Sequence, residues 1–113
     1  MIQIVAQENS NRFSLMVQGH ADAGEYGHDI VCAGVSALVT TYANAFMNLL
    51  PSMGAAVRLR AMEIEAGNAQ IEADVDDGHA DCAAVHRAIM DGLDMISQEH
   101  PGNVLFTEIG DSE

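Results

Sequence analysis

Residues 30–51 read IVCAGVSALVTTYANAFMNLLP, and this stretch decides how the rest of the chain has to fold. It is rich in Ala, Leu and Met, carries no charge, and is apolar on nearly every side until Pro51 closes it. Such a pattern predicts a helix from Ile30 to Leu50 that is buried on most sides. Ser36, Thr40, Thr41, Asn44 and Asn48 interrupt it too often for a membrane span, which needs about 20 predominantly apolar residues.

A helix of that kind needs a sheet to cover it, and the flanking segments supply strands. Ile2 to Ala6 and Arg12 to Gln18 enclose the polar cluster Glu8-Asn9-Ser10-Asn11, which reads as a hairpin with Phe13, Leu15 and Val17 on one face. Ala55 to Glu65 and Asn68 to Val75 form a second hairpin around Ala66-Gly67, with Val57, Leu59 and Ala61 alternating against Arg58, Arg60 and Met62. From Asp81 to His100, Cys82, Val85, Ile89, Leu93 and Ile96 recur at spacings of three and four, an amphipathic helix closed by Pro101-Gly102. Val104 to Ile109 supplies a last strand. The order ββαββαβ predicts an α+β fold of two layers, with two helices packed on a mainly antiparallel sheet of four or five strands. No linker interrupts it, so residues 1–113 are expected to form a single domain.

With 49% hydrophobic and 19% charged residues, the chain has the composition of a folded globule. Four arginines, no lysine and 17 acidic residues give a formal charge of -13, which repels phosphate backbones and argues against direct nucleic-acid binding. The same field attracts a cation or a basic polypeptide. Two cysteines, Cys32 and Cys82, are too few for a secreted disulfide scaffold, and MIQIVAQENS has neither the basic region nor the apolar run of an export signal. The expected home is the reducing cytoplasm, away from any membrane.

The strongest chemical signal is Gly19-His20-Ala21, followed by Gly24, Gly27 and Asp29-Ile30-Val31-Cys32. If Asp29 caps the helix, Cys32 falls at its third position, where unpaired N–H groups favour a thiolate and a nearby imidazolium reinforces them. The Asp29 carboxylate opposes this unless its charge is engaged. The plain alternatives are a small buried cysteine, a polar loop histidine and glycines that only make turns.

Gly19-His20-Ala21-Asp22, Gly24-Glu25-Tyr26-Gly27-His28-Asp29-Ile30-Val31-Cys32-Ala33 and Val35-Ser36-Ala37 resemble the motif of the ribosomal-processing cysteine proteases of the Prp family. The resemblance implies that His20 and Cys32 are a catalytic dyad and that Asp29 and Ser36 support it; His28, a second histidine in the same loop, could orient His20 or replace it as base. Ser36, one turn beyond Cys32, either holds hydrogen bonds of the site or back-bonds to the Cys32 carbonyl. Gly34 stands where many members carry Ala, which is expected to loosen the helix start. Gly19, Gly24, Tyr26 and Gly27 fall in a substrate loop, and Asp22 to His28 is expected to be poorly ordered until it closes over peptide. First-turn N–H groups near Cys32 are the expected oxyanion donors.

The implied substrate is the hydrophobic amino-terminal extension of large-subunit ribosomal protein twenty-seven, and the implied assembly is a homodimer. No cofactor is expected. His79, Cys82 and His86 have metal-ligand residue types, but Cys82 lies in the apolar stripe and reads as core, so no metal is expected. Glu72, Asp74, Asp76 and Asp77 before Gly78 fail the calcium-loop pattern and read as a solvated turn. The rival to a protease is a non-enzymatic acidic module that holds a basic ribosomal protein during assembly, and Cys32 discriminates, since a binder has no use for a nucleophilic thiol.

Overall fold

Alternating apolar residues put β1 (Ile2–Glu8) and β2 (Arg12–Gln18) edge to edge, antiparallel, with Ile4 opposite Val17 and Ala6 opposite Leu15. The computed structural model describes residues 1–21, 24, 29–76 and 79–110, His79 by its backbone alone. β3 (Val57–Glu65) and β4 (Asn68–Val75) form the second hairpin, and β4 pairs with β2 so that Leu15 faces Ile71 and Phe13 faces Ala73. β5 (Val104–Gly110) runs parallel to β1, giving five strands in the order β3-β4-β2-β1-β5. The sheet is mixed but mainly antiparallel, as the element order predicts.

One face of this sheet is core. Ile2, Ile4, Ala6, Phe13, Leu15, Val17, Ala69, Ile71, Ala73 and Val75 are buried there together with helix residues, and each large side chain taken fully out of water contributes about 1.5–3 kcal/mol. The first helical layer is a continuous rod made of α1 (Ile30–Asn44), a π-helical turn (Ala45–Leu49) and a last turn, α2 (Leu50–Ser52). By length and composition this rod would suffice to cross a membrane. Here it buries Val31, Val35, Val39, Tyr42, Phe46 and Leu50 in the common core. The sequence pattern places the stop at Pro51, yet Pro51 lies inside the final turn. Proline lacks an N–H and its ring crowds the carbonyl four residues back, and the wider turn ahead of it makes room for both.

α3 (His79–Glu99) starts two residues before the expected boundary and buries Cys82, His86, Ile89, Met90 and Leu93. His86 and Met90 therefore join the stripe, while Val85 and Ile96 are only partly buried against it. α1 and α3 approach closely through glycines. A Cβ on Gly92 would lie 3.0 Å from Leu38 Cδ1, and one on Gly34 would lie 3.3 Å from Ile96 Cδ1. Gly34 is thus more than a loosened helix start, since it gives Ile96 its seat.

Two expectations about β3 and β4 are corrected. The alternation in β3 breaks at Arg60, where the register shifts between Leu59 and Ala61, so that Met62 and Ile64 take the core-side positions opposite Ile71 and Ala69. A single extra residue in one strand turns the following residues over. The acidic run is a solvated turn only in part, because Glu72 and Asp74 belong to β4 while Asp76 is an exposed bend and Asp77 and Gly78 lie outside the described residues. Asp74 is buried and accepts from Arg12 at 2.7 Å and Arg60 at 3.1 Å, while Glu72 pairs with Arg60 at 3.4 Å. The Arg12 hydrogen bond, and then that of Arg60, hold the Asp74 carboxyl below its ordinary range.

Candidate active site

Asp29 has extended backbone angles and its Oδ1 accepts from Val31 N at 2.9 Å and Cys32 N at 3.0 Å, as an N-cap should. This starts α1 and sets the half-buried Cys32 in its first turn. It also corrects the expected oxyanion donors, because Val31 and Cys32 N–H are engaged by that carboxylate and Ala33 N–H by the Asp29 carbonyl at 3.0 Å. A capping carboxylate and an oxyanion cannot both occupy the same first-turn donors.

The donor aimed at the thiol comes from elsewhere. Ala21 N–H points at Cys32 Sγ, 3.4 Å away, and the Ala21 carbonyl accepts from Asn103 Nδ2 at 2.8 Å. Ala21 is buried, so this peptide is clamped on both sides. A second clamp holds the residues just before it. Gly19 N–H donates to the Gly67 carbonyl at 2.9 Å, and Gly19 has φ +97° with the Met1 carbonyl oxygen where a Cβ would have to sit, a position only glycine can fill. Between the two clamps stands the exposed His20. Its ring lies against Gly67, whose Cβ, if it had one, would be 2.8 Å from Nε2.

His20, Cys32, Ser36 and Gly19 all line one open cleft of about 210 Å³. Its walls carry the apolar Ile2, Val17, Val35, Val39 and Ile64, with Thr40, Glu65 and Asn68 among the polar ones. The two dyad candidates, separated by twelve positions in the chain, thus share a cavity that also has apolar walls. Asp29 acts on the thiol's helix from behind. Ser36 is exposed on the cleft wall, and among the described residues its hydroxyl makes no back-bond to the Cys32 carbonyl, in contrast to Thr41, which bonds the Ala37 carbonyl at 2.7 Å. Gly24 is an exposed bend. Asp22, Tyr26, Gly27 and His28 lie outside the described residues, and the expectations of a closing loop and of His28 as alternative base lie there with them.

The family model for the cysteine protease Prp matches residues 1–105 of this chain. The chain belongs to the Prp family. Its fold is similar to the crystal structure of the essential ribosomal processing protease Prp from Staphylococcus aureus in complex with a covalently linked product peptide, at 28% identity and TM-score 0.77, covering 96% of this chain and all of that one. The Streptococcus mutans protein SMU.848 is similar at 28% identity and TM-score 0.69, covering 98% of this chain and 96% of that one. Against the curated ribosomal processing cysteine protease Prp of Staphylococcus aureus the chain is 44% identical over 48 residues, 42% of this chain and less than half, 45%, of the relative.

Two residues of this Prp-family site are invisible in the sequence pattern. Gly67 reads there only as a hairpin turn and Asn103 only as the residue after Pro101-Gly102, 82 positions from Ala21. Neither carries a local signal, because each meets the site only once the sheet has formed. The other histidine and cysteine signal resolves differently. Cys82 and His86 are buried in the core, where Tyr42 and His86 Nδ1 share a hydrogen bond of 2.8 Å, and the His79 side chain lies outside the described residues.

Proposed function

We propose that this chain is a cysteine endopeptidase of narrow specificity that removes the hydrophobic amino-terminal extension of large-subunit ribosomal protein twenty-seven. The observation that carries the reading is the single cleft that brings His20 and the helix-start Cys32 together. Cys32 Sγ, as thiolate, attacks the scissile carbonyl and forms a C–S bond. His20 takes the thiol proton and returns it to the amine as the C–N bond breaks, then activates water to hydrolyse the thioester. Ala21 N–H, aimed at Sγ, supports the negative sulfur. Asp29 positions the nucleophile's turn, and Ser36 offers a hydroxyl to the cleft.

The apolar walls formed by Val17, Val35, Val39 and Ile64 suit a hydrophobic extension. The formal charge of -13 steers the basic body of a free ribosomal protein toward the site and opposes approach to assembled RNA. The cytoplasm, where ribosomal proteins are made and thiols stay reduced, is the proposed site of action. A homodimer is the proposed assembly, since Met47, Leu49, Met53 and Leu59 leave apolar surface for a second copy to bury. Incubation with the extended ribosomal protein, followed by intact-mass measurement, tests the reading. The expected result is loss of the extension and a transient thioester on the enzyme, and an unchanged substrate mass overturns it.

A further inference from the structure

A histidine that serves a thiol as base is usually oriented by a third group that hydrogen-bonds its other nitrogen. Among the described residues, no side chain hydrogen-bonds the His20 imidazole. What meets the ring is backbone. Gly67, at the tip of the β3–β4 hairpin, has φ +77°, and its missing Cβ would lie 2.8 Å from Nε2, 3.2 Å from Cε1 and 3.6 Å from Cδ2 of His20. The same glycine accepts from Gly19 N–H at 2.9 Å, so the residue that touches the ring also holds the backbone just before it. The hairpin tip reaches the cleft itself, because Glu65, Ala66, Gly67 and Asn68 all line it.

From this geometry we infer that Gly67 is a positioning residue for His20: the bare backbone of the hairpin tip is a seat that sets where the imidazole stands relative to Cys32. The inference rests on His20 being the base. Any L-side chain at position 67 removes the seat in two ways. It strains a backbone in the left-handed region, and it drives a methyl into the Nε2 edge of the ring. The first effect is structural and the second is catalytic, so the test has to part them.

Replacing Gly67 by D-alanine does so. The D-residue adopts φ near +77° without strain and places its methyl where the other α-hydrogen of glycine stood, away from the position an L-side chain would take. The full-length D-alanine variant is accessible by chemical ligation at the native Cys32 and Cys82. Gly67→Ala is expected to lower kcat by about 100-fold with KM little changed, the scale of a displacement of about 1 Å at a reacting group. The D-alanine variant, free of the backbone strain and of the methyl at Nε2, is expected to turn over about tenfold or more faster than Gly67→Ala.

The pH profile gives an independent readout. In Gly67→Ala the limb of kcat that follows the catalytic base should shift or flatten, which simple loss of stability does not do, whereas in the D-alanine variant it should stay. Should Gly67→Ala fail to fold, nuclear Overhauser contacts between the Gly67 α-protons and His20 Hε1 in the native chain carry the decision, and their absence overturns the seat. Gly67→Ala with native turnover, or a D-alanine variant as slow as Gly67→Ala, also overturns it. These outcomes leave the base assignment standing if His20→Ala is inactive. Full activity in His20→Ala overturns the base assignment and the seat together.

Discussion

Two cysteine and histidine pairs sit in this chain, and the fold treats them in opposite ways. Cys32 is half-buried at a helix start, beside an exposed His20 on the wall of a cleft. Cys82 and His86 lie one turn apart on α3, both buried, with Tyr42 and His86 hydrogen-bonded and Phe13 at 5.2 Å from the His86 ring. Burial, with a smaller push from Asp81, raises the Cys82 thiol above its ordinary value. Burial drives His86 down from 6.5 to about 4 and pushes the Tyr42 phenol up. The second pair is thereby fixed as neutral thiol and neutral imidazole, packed and inert. Residue type alone does not make a nucleophile. Access to the cleft and a backbone donor aimed at its sulfur set Cys32 apart from Cys82.

The largest expected effect sets the cysteines against each other. Cys32→Ala should reduce cleavage of a peptide spanning the processing site to the uncatalysed background. Cys82→Ala should keep turnover and lose only about 1 kcal/mol of stability in urea unfolding, as the loss of one buried heavy atom implies. Activity surviving in Cys32→Ala, or vanishing in a folded Cys82→Ala, breaks the comparison. Alkylation of the native protein should label Cys32 alone.

The buried histidine comes next, through stability. His86 binds a proton near 6.5 when unfolded but only near 4 when folded, so between these values protonation favours the unfolded chain. The contribution is complete above about pH 6.5 and is lost as pH falls toward 4, by about 3 kcal/mol on the shift of 6.5 to about 4. Denaturant titrations at pH 7 and pH 4.5 measure it, and His86→Phe should flatten that slope. An unchanged slope would mean that the Tyr42–His86 pair does not exclude the proton.

The smallest effect sharpens the active side. Asn103→Ala removes the donor to the buried Ala21 carbonyl and releases the peptide whose N–H faces Cys32 Sγ. Turnover should fall by about tenfold, or ~1.4 kcal/mol of barrier, with the unfolding midpoint lowered modestly. A variant with native kcat would show that the Ala21 clamp plays no part in activating sulfur.

Much of this molecule is legible in one dimension because the signals are local. Strand alternation in β1, β2 and β4, the stop at Pro101-Gly102 and the cap formed by Asp29 each depend on residues a few positions apart. So does the placing of Cys32 at the start of α1, since a capping carboxylate and the helix it opens are neighbours. The bulge at Arg60 has no such local signature, because it is a pairing irregularity that exists only against β4.

What the sequence by itself determined is the order of elements, the apolar rod, the acidic surface and the two residues proposed for chemistry. Only the tertiary structure decided that β5 lies parallel beside β1, that Asn103 reaches Ala21 from 82 positions away, and that Gly67 supports His20. It also decided which histidine stays in water, burying His86 and leaving His20 exposed. The physical reason is range. Capping and periodicity act within a turn or two of chain, whereas burial, and the protonation state that follows from it, depends on which distant segments the closed sheet brings into contact.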